Sequence, residues 1–249
     1  MTASLAEIQR AMIAEIRSSE GDGVYRTLVR RGLAEILRVQ LPRTAALLGD
    51  RWAGEVARLL DDDLPRSRYV RDTAFPFVAR AAARWSSDPD LPPFLVDVAR
   101  WELLDFEVKS APDDGPIEPG ALALDRRVAL SLSARVARFS HAVHLLSDDE
   151  ASIEPPAPIP VTLCVFRDRD MDVSFLELTP SAAEILDRLA RGEALGEAVS
   201  GAAKACDLPL DATFLQGAAG FLEDLSAHGV VRGPAPIDTF PSHSAEDRR

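Results

Sequence analysis

Lysine and cysteine are scarce in this 249-residue chain. Lys109 and Lys204 are its only lysines, so nearly every cation is an arginine, and Cys164 and Cys206 are its only cysteines. Two cysteines cannot build a disulfide scaffold or a four-cysteine zinc site, and a reducing cytoplasm is the expected location. No apolar run approaches the ~20 residues that a membrane-spanning helix needs. The opening MTASLAEIQRAMIAEIRSSE has no basic stretch followed by an apolar core, so no secretory signal is expected. Also missing are a glycine-rich phosphate loop, a Gly-x-Ser-x-Gly elbow and a His-Glu-x-x-His pair. His141 and His144 stand three apart, a spacing that can put both on one helical face, but no third and fourth ligand follow in a known pattern. Cys164 lies between Leu163 and Val165 and reads as a packed thiol rather than a nucleophile. The sequence therefore predicts a protein that is not an enzyme, with no catalytic residues, no metal and no cofactor.

What is present is ample apolar material, 47% of the residues, beside 27% charged. That is the balance of a chain that buries real cores. The net charge of −12 is unevenly spread: residues 1–110 hold 16 cations and 17 anions, and the remainder holds 12 and 23. The acidic half repels a phosphate backbone, so nucleic acid is an unlikely partner there.

Periodicity divides the chain. Residues 1–110 read as an all-helical domain. Ser4 and Glu7 have capping-box spacing ahead of a stripe of Leu5, Ile8, Met12 and Ile16. A second helix carries Val29, Leu33, Ile36 and Leu37, and a short turn ends at Gly49. Asp50 opens a helix with Trp52, Val56, Leu59 and Leu60 inward, and the Asp61-Asp62-Asp63 triplet at its end is either a solvated helix end or, as expected here, an early stop. A helix through Tyr69, Val70 and Thr73 is expected to kink at Pro76 and resume to Trp85. The last one starts near Pro93 and buries Phe94, Leu95, Val98, Trp101, Leu104 and Val108.

Residues 111–120 are a linker by composition. From 121 to 232 the pattern is that of a smaller α+β domain. Strands are expected at Ala121–Leu124, Val128–Leu132 and Val161–Phe166. A polar turn, Arg167-Asp168-Arg169-Asp170, leads to a hairpin partner, Val173–Leu178. Residues 135–146 fit helix or strand. Thr179-Pro180 opens the first of three helices, and Gly229-Val230-Val231 is a closing strand. A flexible tail is expected over 233–249.

The order hairpin, three helices, strand resembles the winged-helix-like domains that recognise leader peptides in ribosomal peptide modification, carried by "RLARGEALGEAV" and "FLEDLSAHGVV". Such domains add a peptide as a strand beside the hairpin, against the third helix. By that resemblance the peptide-binding set is Val173, Ser174, Phe175 and Glu177 on the strand, with Phe214 and Phe221 lining a groove. The alternative is that both phenylalanines are core. A proline at Ser174 is the change expected to remove an N–H from the strand edge.

The helical half carries, in order, Tyr25-Arg26, Gln40-Leu41-Pro42, Leu47-Leu48-Gly49, Pro65-Arg66-Ser67, Phe75-Pro76-Phe77 and the run from Pro92 to Glu102. This series resembles the HvfC/BufC family, whose N-terminal region bears the label of a DNA-binding domain. Where that family often ends its last helix on Leu-Glu-Trp, this chain has Arg100-Trp101-Glu102-Leu103. The resemblance implies a non-catalytic partner that binds a precursor peptide and presents it to a multinuclear non-haem iron oxidative enzyme, a separate subunit, in natural-product biosynthesis. A DNA-binding transcriptional regulator is the alternative. The third C-terminal helix, expected from Asp211 to Ala227, has no Lys or Arg, which disfavours it.

Overall fold

The computed structural model describes residues 24–62, 70–116, 120–147 and 154–235. The chain divides into two compact units, Met1–Glu107 with Arg138–Val161 and Val108–Ala137 with Thr162–Arg249. The expected helix over Leu5–Ile16 lies outside the described residues. The protein is α+β, helical in its N-terminal part and mixed in its C-terminal part.

The first unit is built on α1 (Val24–Gln40), α2 (Pro42–Leu48), α3 (Trp52–Asp62), α4 (Ala74–Ser87) and most of α5 (Leu95–Lys109). Its core gathers Leu37, Leu41, Trp52, Val56, Phe77, Trp85 and Leu95. Phe77 stands edge-on between Trp52 and Trp85, with ring centroids 5.5 and 5.6 Å away. Two expectations fail here. Pro76 does not kink a helix, because α4 begins at Ala74 and a proline in the first turn removes an N–H that has no helical acceptor anyway. The chain just before it, Val70–Thr73, is a 3-10 turn. Nor do the aspartates stop α3 early, since Asp61 and Asp62 lie within it.

Residues 138–161 group with this helical unit, whereas the sequence division at 111–120 placed them with the α+β part. Polar and aromatic contacts tie them there. Asp97 on α5 accepts from the Ser140 N–H at 2.9 Å and lies 2.7 Å from His141 Nδ1. Phe139 meets Trp101 edge-on at 6.0 Å and lies under the Arg100 guanidinium. His141 and His144 do not share a helical face. His141 is in a bend, and His144 is in a 3-10 turn over Val143–Leu145.

Glu102 organises the start of α2. Leu41 gives no side-chain cap there, and the first-turn N–H groups of Arg43 and Thr44 donate instead to Glu102 at 2.7 and 3.1 Å. The Thr44 hydroxyl adds a bond of 2.6 Å. A helix N-terminus is thus capped by a carboxylate 58 residues further along the chain. Burial pushes the Glu102 carboxyl up to about 7, against those three bonds, which lower it.

In the second unit, β1 (Val128–Leu130) pairs antiparallel with β5 (Val231–Pro234). A three-stranded sheet runs in the order β2 (Arg135–Phe139), β3 (Val161–Arg167), β4 (Val173–Glu177). The segment at 135–146, open in the sequence, is thus a strand followed by the 3-10 turn. Three helices follow, α6 (Pro180–Ala190), α7 (Leu195–Ala205) and α8 (Ala212–Ala227). Thr179 caps α6 by accepting from the Ala182 N–H, with Pro180 in the first turn as the sequence predicts. Asp211 caps α8 through the Phe214 N–H at 2.9 Å. The core joins Cys164, Phe166, Ile185, Leu186, Ala198, Leu225 and Val230. Burial drives the Cys164 thiol up to about 12, so it packs as an inert side chain.

Ala121–Leu124 is not a strand. The Leu124 carbonyl accepts from the Gly196 N–H at 2.7 Å and the Arg126 carbonyl from the Leu195 N–H at 2.9 Å. The segment therefore satisfies the first turn of α7 instead of a sheet neighbour. Arg167 is not in the turn but ends β3. Its guanidinium donates to the carbonyls of Lys109, Ala111 and Pro112 and to the Asp113 carboxylate. Asp114 accepts from the Leu132 N–H and the Ser131 hydroxyl. The start of the expected linker is thereby fastened to this unit. Of the expected tail, Gly233 and Pro234 belong to β5, and residues 236–249 lie outside the described residues.

Candidate functional site

The β3–β4 hairpin is antiparallel, with Cys164 opposite Leu176, Val165 opposite Phe175 and Phe166 opposite Ser174. Its turn is held by Asp168, which accepts from the Asp170 and Asp172 N–H groups and the Ser174 hydroxyl. The Ser174 bond first, then the Asp172 N–H, keeps the Asp168 carboxyl below its ordinary range. Met171 adopts the left-handed conformation that so tight a turn requires, at φ 70°.

The direction of the β4 backbone follows from the two ends of the hairpin. Leu178 N–H donates to Thr162 O at 2.8 Å, and Asp168 N–H donates to Asp172 O at 2.9 Å. Both pairs belong to the same register, and hydrogen-bonded pairs alternate along an antiparallel ladder. Ser174 and Leu176 therefore turn their N–H and C=O toward β3. Val173, Phe175 and Glu177 turn theirs to the other side. Among the described residues no strand pairs with β4 on that side, so β4 is an edge of the sheet.

This corrects the expectation for Ser174. Its hydroxyl serves Asp168 and its backbone serves the hairpin, so a proline there would break the β3–β4 pairing rather than the outer edge. The informative position is Phe175. The face alternation does follow the sequence. Leu176 packs on the core cluster, and the Phe175 and Glu177 side chains are exposed on the opposite face, Phe175 by 39%. Val173 is half-buried.

Phe214 and Phe221 on α8 pack against the same cluster as Leu176 while staying partly exposed. They are partly core, and each keeps some surface at the rim of the helix. The side of α8 that faces the core is the one with Ala218, Leu222 and Leu225, which are buried, and His228, just beyond the helix, stacks edge-on against Phe166 of β3 at 5.7 Å. At 100° per residue Phe214 and Phe221 flank that side, and Gly217 is exposed. A Cβ at Gly217 or at Gly220 would meet nothing within 4 Å. Replacing both by alanine is expected to raise stability by about 1–2 kcal/mol in total, read as a higher urea midpoint, because mid-helix glycine costs ~0.5–1 kcal/mol against alanine. The helix also shows Leu215, 48% exposed, to solvent.

Among the described residues no helix is long and apolar enough to cross a membrane. The residues with the clearest positioning geometry, Glu102, Arg167 and Asp114, were not singled out by sequence. Each acts on chain remote from itself, and no local pattern marks it. No curated protein matches the chain. Residues 131–226 match the family model of the HvfC C-terminal domain, a stretch that contains the whole hairpin and nearly all of α8. That assignment fits the role of a partner protein. By this match residues 131–226 are similar to the HvfC C-terminal domain.

Proposed function

We propose that this protein is a non-catalytic partner that binds a precursor peptide along the outer edge of β4 and presents it to a separate multinuclear non-haem iron oxidative enzyme. The observation that carries the reading is that β4, inside the stretch that matches the HvfC C-terminal domain, is the last strand of its sheet among the described residues, with the backbone of Val173, Phe175 and Glu177 turned away from β3. An extended peptide can add to such an edge, taking its affinity from main-chain hydrogen bonds and its register from side-chain contacts. Phe214 and Phe221, packed against the same core cluster as Leu176, keep partly exposed apolar surface. The iron chemistry belongs, on this reading, to the enzyme subunit. The alternative of a DNA-binding regulator would place α8 in a groove, and α8 carries no Lys or Arg while Glu223 and Asp224 stand in its last turns.

The test is reconstitution with the cognate precursor. The iron enzyme alone is expected to modify the peptide slowly, and adding this protein is expected to restore turnover together with saturable peptide binding measured by fluorescence anisotropy. Equal modification with and without it would remove the partner role.

A further inference from the structure

We propose that the cleft between the start of α3 and the end of α4 binds a small oxyanion, a carboxylate or a phosphate group on a ligand of matching size. Arg51, Gly54, Glu55 and Arg58 fall at steps of three and four, so one face of α3 and of the turn before it presents them together. Arg84, Trp85 and Asp88 come from the end of α4. These residues line a cleft of about 300 Å³, at the lower end of the range that holds small ligands. Three guanidiniums around so small a space stand out in a chain whose net charge is −12. A guanidinium offers five N–H donors in a planar fork that matches the paired oxygens of a carboxylate or a phosphate.

Glu55 is the anion that the fold itself supplies here. Its side chain is 10% exposed and accepts from Arg58 Nη1 at 3.3 Å, from Trp85 Nε1 at 3.1 Å and from Arg84 Nη2. One carboxylate therefore faces two guanidiniums, which leaves positive charge in excess. Arg51 is held separately, by Asp88 at 2.7 Å and Asp90 at 3.1 Å. Among the described residues, Arg58 and Arg84 each spend one N–H group on Glu55. Arg84 keeps a buried Nε with no acceptor, a donor whose desolvation nothing offsets. The Arg58 side chain is 59% exposed, so the rest of its fork is within reach of a solute. Gly54 adds room. A glycine inside a helix costs stability against alanine, and a Cβ at Gly54 would meet nothing within 4 Å, so that wall of the cleft is bare backbone. An oxyanion beside Arg58 and Arg84 takes up the excess charge and the remaining donors together, in charge-assisted bonds stronger than neutral ones.

The probes are inorganic phosphate and succinate, titrated into the full chain by isothermal calorimetry at about 20 and about 300 mM sodium chloride, with succinamide as the uncharged control. At least one anion is expected to bind saturably at one site, more weakly at high salt, with succinamide silent. The tighter of the two anions names the group that the site takes. Arg58→Gln and Gly54→Leu are each expected to lower that affinity at least about tenfold. Neither change touches the core. Arg58 is a surface partner whose ion pair adds little to stability, and leucine is the better helix former at Gly54, so urea midpoints are expected to hold or rise. Binding lost in Gly54→Leu at an undiminished midpoint shows that the cleft itself is occupied. No binding of either anion up to about 20 mM, or an affinity that either variant leaves unchanged, overturns the proposal and reduces the arginines to an ion-pair network around Glu55.

Discussion

Wild-type protein is expected to lose stability as pH rises from about 5 to about 7, and a Glu102→Gln variant is expected to lose much less over the same window. The Glu102 carboxyl is pushed from its ordinary 4.5 to about 7 by burial. Below the lower value both folded and unfolded chains hold the proton. Between the two values the folded protein keeps a proton that the unfolded chain releases, so the folded state is favoured less with each step up in pH. Above about 7 the loss is complete. A shift of this size corresponds to at most about 3 kcal/mol. Glutamine does not titrate, so its urea midpoints should lack this fall. It also has a fixed cost. The two carboxyl oxygens of Glu102 accept from the Arg43 N–H, the Thr44 N–H and the Thr44 hydroxyl together. An amide offers one oxygen, and its NH2 opposes one of the backbone donors, a loss of about 1–3 kcal/mol. Urea unfolding of both proteins across this range checks the prediction. The same pH slope in both would show that Glu102 does not carry it.

That residue marks a limit of sequence reading. Glu102 stands inside an apolar helical stripe, and its role is visible only when α2 is brought to it from 58 residues away. Arg167 is similar: its position suggests a turn residue, and its work is done on carbonyls more than fifty residues earlier. Where a signal is local the sequence carries it well. Thr179-Pro180 starts α6, the apolar run from Val161 makes β3, and the alternation in β4 sends Leu176 inward and Phe175 outward. Ala121–Leu124 has the composition of a strand and fails because its Leu124 carbonyl, with that of Arg126 just beyond it, serves the first turn of α7. The face of each β4 side chain follows from period two alone, but the direction of each N–H depends on pairing with β3, and that moves the decisive position from Ser174 to Phe175.

Phe175→Pro is expected to cost the precursor peptide at least about tenfold in affinity, beyond any loss seen with Phe175→Ala. Both variants remove the ring. Only proline also removes the N–H that points away from β3, and its ring crowds the path of an added strand. The hairpin keeps its own bonds in either variant, since Ser174 and Leu176 supply them. Matching urea midpoints for the two would establish that the fold is equally intact. A backbone hydrogen bond contributes ~0.5–1.5 kcal/mol net, and one lost together with steric blocking exceeds the 1.4 kcal/mol of a tenfold change.

The central claim is that a precursor peptide pairs as a strand with β4. It is tested most directly by titrating the cognate precursor into wild type, Phe175→Ala and Phe175→Pro, with affinity read by fluorescence anisotropy. The account predicts that Phe175→Ala keeps measurable binding and that Phe175→Pro falls at least about tenfold below it at equal stability. Equal affinities for the alanine and proline variants would contradict strand pairing at this edge.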